Sequence, residues 1–108
     1  YDFDNLFGVD FSTSKEQRVN TGESAMNHAM LFTGVDIDEE GNARRFRVEN
    51  SWGEEPGEKG FFTMDAAWFD ANVFEVAVHV DDLPADLRAA ITEEPLHLPA
   101  WDPMGALA

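Results

Sequence analysis

Hydrophobic and polar positions divide this chain into one continuous apolar run, one clean alternation and several shorter pieces. His28 to Val35 holds Ala29-Met30-Leu31-Phe32-Thr33-Gly34-Val35 without a charge, the pattern of a strand buried on both faces. Asp36 to Asn42 reads as a turn, with Gly41-Asn42 supplying the positive backbone dihedrals of a tight reversal. Ala43 to Asn50 alternates: Arg45, Arg47 and Glu49 share one face, while Phe46, Val48 and Asn50 share the other. That period places an amide among core residues, where it must find hydrogen-bond partners.

Elsewhere the signals are shorter. Tyr1 to Gly22 is aromatic, acidic and poorly periodic, and predicts a packed loop with one short helix. Ser12-Thr13-Ser14 caps that helix, with Glu16 or Gln17 reaching back. Ser51 to Gly60 is a glycine-rich loop, and Gly60 to Met64 a further strand. Asp65 to Phe69 is a helical turn or two capped by Thr63 or Asp65. Phe74, Val76, Val78 and Val80 alternate with Glu75, Ala77 and His79 as a half-buried strand. Pro84 to Glu94 carries Leu83, Leu87, Ala90 and Ile91 on one helical stripe, and the Pro-punctuated end from Leu96 to Ala108 predicts no regular element. The class is α+β: antiparallel strands with short flanking helices, one C-terminal helix and an extended tail.

Composition narrows the function. The 108 residues suit one domain, and the 44 % hydrophobic content excludes a disordered tail. Seven basic against 22 acidic residues give a net charge of −15, which repels nucleic acid and anionic lipid and otherwise reads as solubility. No run of eighteen apolar residues and no basic-then-apolar leader is present, so neither membrane spanning nor secretion is expected. The chain contains no cysteine, which excludes a disulfide scaffold and fits a reducing, cytoplasmic setting. A start at Tyr1 with no helix or strand signal reads as a fragment or a processed chain.

The chemistry concentrates in two pieces, Met26-Asn27-His28-Ala29-Met30 and Val48-Glu49-Asn50-Ser51-Trp52-Gly53. One hairpin would bring His28, at the head of the first run, beside Asn50, at the end of the second. A cysteine peptidase needs that pair: an imidazole to take the thiol proton, and an amide oxygen to fix its tautomer. The indole of Trp52 would keep water off their hydrogen bond and strengthen it. Taken singly, His28 is a core histidine and Asn50 a turn residue by default; only their combination points to catalysis. The thiol itself is missing.

Other sites fail on the letters. Asp36-Ile37-Asp38-Glu39-Glu40-Gly41 imitates the start of a calcium loop, but the twelfth place is Arg47 where a bidentate glutamate is needed. His28, His79 and His97 share no ligand spacing, so no metal is expected. No carboxylate pair stands in an apolar context, and no glycine-rich phosphate loop appears, so no cofactor is expected.

The two pieces around His28 and Asn50, together with Lys59-Gly60-Phe61-Phe62-Thr63-Met64 and the ending Leu98-Pro99-Ala100-Trp101-Asp102-Pro103-Met104-Gly105-Ala106-Leu107-Ala108, resemble the carboxy-terminal region of the bleomycin hydrolase and bacterial aminopeptidase C family. These are papain-like cysteine peptidases. Asn27 departs from the family, which usually carries Thr there. The resemblance implies a papain-like β-rich lobe over residues 1–97, with His28 as general base and acid, Asn50 as its orienting partner and Trp52 as the shield. The nucleophilic Cys and the oxyanion-hole Gln would lie upstream, on a separate lobe, more than about a hundred residues before the His. Residues 98–108 would enter the active-site cleft, anchored by Trp101, Met104 and Leu107. There the carboxylate of Ala108 would meet the free amino group of a peptide substrate and make the enzyme an aminopeptidase. The family's hexamer, with a central chamber, is likewise implied, and this chain alone would be inactive. The rival reading is a free-standing acidic β-rich module that binds a protein partner. A lobe separated from its other half should expose a large apolar face, whereas an independent module should be evenly polar.

Overall fold

Residues 31–49 fold back on themselves as a hairpin, and the rest of the ordered packing is built on it. In the computed structural model, which describes residues 1–105, strands β1 (Leu31–Ile37), β2 (Ala43–Glu49) and β3 (Phe61–Asp65) form one antiparallel sheet in the order β1-β2-β3. Helices α1 (Phe3–Phe7) and α2 (Lys15–Asn20) precede the sheet, while α3 (Ala66–Asn72) and α4 (Ala85–Ala90) follow it. Short 3-10 turns lie at Val80–Asp82 and Pro103–Gly105.

The alternation in β2 acts as expected. Val48 is paired with Phe32 on one side and Phe62 on the other, and Phe46 lies between Val35 and Met64. This inner face holds Val48, 1 % exposed, and Met64, 7 % exposed, the buried apolar residues of the described chain. Helix α3 crosses it and adds Phe69, whose ring lies 4.8 Å from Phe46 and 5.7 Å from Phe32, centroid to centroid. The helix starts there because the Asp65 carboxylate accepts from the Ala67 amide, satisfying an orphan donor of the first turn.

The tip of the hairpin depends on Asp38. Its carboxylate accepts from the amides of Asn42 at 2.8 Å and Glu40 at 3.0 Å, and Gly41 takes φ +92°. Asn42 stays at negative φ, so glycine alone supplies the left-handed residue. The acids that imitate a calcium loop are therefore turn chemistry. The Asn42 backbone donor, foremost, holds the Asp38 carboxyl below its ordinary value of 3.8. A depressed folded pKa contributes stability above the unfolded value, and that contribution is lost as pH falls through the folded one. Asp38→Ala is accordingly expected to lower the melting temperature at about pH 6, with the gap closing below pH 3.8. Thermal melts of both proteins across that range check it.

Several sequence expectations are corrected. The first strand starts at Leu31 and runs through Ile37, and it is not buried on both faces: Leu31, Val35 and Ile37 are all more than half exposed. It is an edge strand, and bulges between Phe32 and Gly34 and between Asp36 and Ile37 break its register. Residues 74–80 form no strand, because an extended segment becomes one only where a neighbour accepts its hydrogen bonds. The helix expected over Pro84 to Glu94 is reduced to Ala85–Ala90, with Pro84 at the cap, and its Leu87 and Ile91 stripe is exposed. Helix α1 was not foreseen: Asp2 caps it and Gly8, at φ +65°, ends it. The short helix expected after Ser12-Thr13-Ser14 is present as α2, opened by a Ser14–Gln17 capping box, whereas the residues expected to pack as a loop before it are exposed. The tail contains the Pro103–Gly105 turn, which approaches α2; Leu107 and Ala108 lie outside the described residues.

The overall dimensions are unusual for 108 residues. The radius of gyration is 17.4 Å, against about 13 Å for a compact domain of this length. The accessible surface is 9203 Å², about half as large again as the roughly 6,000 Å² of a folded monomer of this mass. Large apolar side chains, from Phe3, Phe7 and Phe11 to Leu96 and Trp101, make up much of the excess.

Candidate active site

The site sits where the hairpin strands open. Leu31 pairs with Glu49 at the end of the β1–β2 ladder, so the chain entering β1 and the chain leaving β2 stand side by side. His28 is on the first and Asn50 on the second. His28 Nε2 lies 3.1 Å from Asn50 Oδ1. A carboxamide oxygen can only accept, so Nε2 carries the hydrogen and Nδ1 of the neutral ring keeps its lone pair. The arrangement holds the imidazole in the tautomer that a base needs, with its free nitrogen on the side away from the amide.

Asn50 is fixed more firmly than His28. It is 9 % exposed, whereas His28 is exposed. Its side chain continues the inward row of Phe46 and Val48, and its own amide donates to the Gly60 carbonyl at 3.0 Å. Trp52 lies on the imidazole edge-on, with ring centroids 5.0 Å apart and planes at 67°. The indole itself is 65 % exposed, so it covers the ring from one side and is open to solvent on its other.

Two residues of this frame were read from the sequence only as loop punctuation. Gly60, buried at φ +85°, has room for no side chain: a Cβ there would lie 2.7 Å from the Gly53 carbonyl oxygen. That close approach lets the 51–60 loop return to Asn50. Gly57 is as constrained, at φ +68° with Phe61 O 2.5 Å from a built Cβ. The only advance signal was the glycine spacing after Asn50. Gly60→Ala is expected to cost about 2 kcal/mol, from a strained backbone and a displaced Gly53 carbonyl. Urea unfolding of the two proteins measures it.

Among the described residues no group of three or more His, Asp or Glu side chains could hold a metal ion. His79 instead lies 3.5 Å from Asp81 on the surface, far along the chain from His28. No helix there is long and apolar enough to cross a membrane. Ala108, expected at the substrate amino group, lies outside the described residues.

Comparison with known proteins agrees with this architecture. The chain is 50 % identical over 111 residues to aminopeptidase C of Lactobacillus helveticus and 47 % identical over 111 residues to bleomycin hydrolase of Homo sapiens. Each alignment covers 100 % of this chain and 24 % of the relative. The crystal structure of PepW from Lactobacillus rhamnosis HN001 superposes with a TM-score of 0.84 at 47 % identity, covering 98 % of this chain and 24 % of that one. The chain therefore spans about a quarter of the length of the relatives it matches. The papain-like β-rich architecture is shared, and residues 1–105 match the model of the Peptidase C1-like family. The chain belongs to that family and corresponds to the carboxy-terminal region of its aminopeptidase C and bleomycin hydrolase members.

Proposed function

We propose that this chain is the base-bearing lobe of a cysteine aminopeptidase. The observation that carries the reading is the His28–Asn50 hydrogen bond, which leaves Nδ1 as the free base. In the reaction, Nδ1 takes the proton from a cysteine thiol on the other lobe. The thiolate attacks the carbonyl carbon of the first peptide bond, and the imidazolium then gives its proton to the departing amine. A water, deprotonated by the same nitrogen, cleaves the thioester and regenerates the thiol. Asn50 keeps the ring oriented through both transfers and stabilises the imidazolium. Trp52, against the ring edge, limits water beside that bond.

Restriction to the amino terminus would come from the carboxylate of Ala108, placed as a fixed anion beside the substrate ammonium. The support for this is the likeness of Leu98 to Ala108 to the ending of the family, as for the hexameric chamber. With no cysteine in its sequence, the chain alone is expected to be inactive. Its surface also favours an interrupted lobe over a self-sufficient binding module: Val35, Ile37, Leu87, Ile91 and Trp101 lie exposed instead of being replaced by polar residues.

An add-back assay tests the reading. The remaining polypeptide of the enzyme, carrying its Cys, is expressed with and without this chain and offered an amino-acid amide bearing a free amino group. Hydrolysis that requires the chain supports the proposal. Equal activity without it removes the catalytic role and leaves the protein-binding module as the better account.

A further inference from the structure

Helix α3 has no cation in its own last turn, although its final carbonyls have no amide to accept from inside the helix. Two cations of α2 take that place. Arg18 Nη2 donates to Ala71 O at 2.7 Å, while Lys15 Nζ donates to Asp70 O at 3.0 Å and to Val73 O. Positive charge at a helix C-terminus also meets the favourable end of the dipole. In a chain with 22 acids, neither cation forms an ion pair with a carboxylate of the described residues. Both are half-buried, as are Ala71 to Phe74. Bonds to backbone carbonyls fix where α2 sits against α3, which a loose balance of charge would not.

Arg18 holds the chain on two further sides. Its Nη1 donates to Thr13 O at 2.8 Å, ahead of the helix. Behind it, its own carbonyl accepts from the Ser24 amide at 3.0 Å. The path from there to the base is short. Ser24 precedes His28 by four residues, at most about 14 Å of extended chain, and β1 begins at Leu31 just beyond. Between these fixed points Ser24, Met26 and Met30 are half-buried, whereas Ala25, Asn27 and Ala29 are exposed. His28 belongs to the inward row of that period-two pattern. Its ring is exposed and meets Asn50 and Trp52.

We infer that Arg18 is a positioning residue for His28: by docking α2 on the end of α3, with Lys15 beside it, it sets how the imidazole meets Asn50. Strand β1 fixes one end of the segment that carries the ring, and Arg18 fixes the other. Without the upstream anchor, residues 21–27 hang from an unfastened helix, and the ring can swing away from the amide about the chain before Leu31. A reacting group misplaced by about 1 Å loses about a hundredfold in rate. The effect on rate rests on the reading of His28 as the base; the effect on the His28–Asn50 geometry does not.

Three variants test it. Arg18→Met keeps the stem of the side chain and removes its donors, while Arg18→Lys keeps the charge and can reach one carbonyl. Arg88→Met is the matched control, because Arg88 also donates to two backbone carbonyls, Asp81 O at 2.8 Å and Leu83 O at 3.0 Å, far along the chain from His28. Imidazole nitrogen-15 shifts of this chain, taken at about pH 8.5 where an ordinary histidine is neutral, report the tautomer of His28. The parent should show the Nε2–H form alone. Arg18→Met should move both nitrogens toward the mixed tautomers of a free histidine, Arg18→Lys should lie between, and Arg88→Met should match the parent. In the complex with the remaining polypeptide, Arg18→Met should lower kcat on an amino-acid amide at least about tenfold with KM within about twofold, and Arg18→Lys should recover part of the loss. Parental shifts in Arg18→Met overturn the inference whatever the rate does, and so does an equal change in Arg88→Met. If the methionine variant does not fold, parental shifts in Arg18→Lys overturn it instead. A tautomer change in a chain that supports no hydrolysis would retain Arg18 as the residue that sets the His28–Asn50 geometry and reject only the catalytic reading.

Discussion

Alanine at position 28 is expected to lower kcat/KM of the reassembled enzyme by about 10⁴-fold, the upper range for loss of a positioned acid–base group. Without the imidazole no group beside Asn50 can accept the thiol proton. The thiol then reacts only through the small fraction ionised at neutral pH, and the amine leaves without a proton donor. Asn50→Ala should act differently: the base remains, but the Nε2 partner is gone, so the rate falls by less. Steady-state kinetics on an amino-acid amide separate the two variants, and an unchanged circular dichroism spectrum distinguishes either loss from a structural defect. A His28→Ala enzyme with unchanged kcat/KM would falsify the assignment of the base.

Phe69→Ala should be the most damaging substitution in the half-buried aromatic cluster on the sheet, destabilising the fold by about 2 kcal/mol, less than for a fully buried phenylalanine. The ring joins α3 to the sheet by contacting Phe32 and Phe46, whose own centroids are 5.5 Å apart. Its removal strips both rings of that contact. A chain with Val48 and Met64 as its buried apolar residues has little stability in reserve. Loss of α3 would also disturb the cations tethered to its end, since Arg18 Nη2 donates to Ala71 O at 2.7 Å and Lys15 Nζ to Asp70 O at 3.0 Å. Those bonds tie α2, just before the His28 segment, to the helix that rests on the sheet. Urea unfolding followed by circular dichroism measures the loss. Phe69→Leu, which retains most of the volume, should recover more than half of it.

The hairpin was legible because its rules are local. Period-two alternation in Ala43 to Asn50 puts Phe46, Val48 and Asn50 on one side whatever else the chain does. Asp38 and Gly41 then close the turn with their own side chain and backbone. Since a hairpin returns to where it started, the pairing of His28 with Asn50 followed from the length of the two arms. The Ser14 and Asp65 helix starts were equally local: each carboxylate or hydroxyl reaches an amide two or three residues away.

What sequence periodicity left undecided is the presence of a partner. The apolar runs of β1, of residues 74–80 and of Pro84 to Glu94 record a wish for burial, but not what supplies it. In the fold β1 is an edge, the second segment is unpaired and the third is a six-residue helix with an open stripe. The glycines follow the same division. Gly57 and Gly60 announced a loop in the sequence, and only the folded chain shows that the Phe61 and Gly53 carbonyls occupy the space of any Cβ there. By itself, then, the sequence determined the hairpin, the caps and the nearness of His28 to Asn50, since alternation, turn geometry and capping act over a few residues. The tertiary structure alone decided which faces are buried and how tightly Asn50 is held, because both depend on atoms far away along the chain.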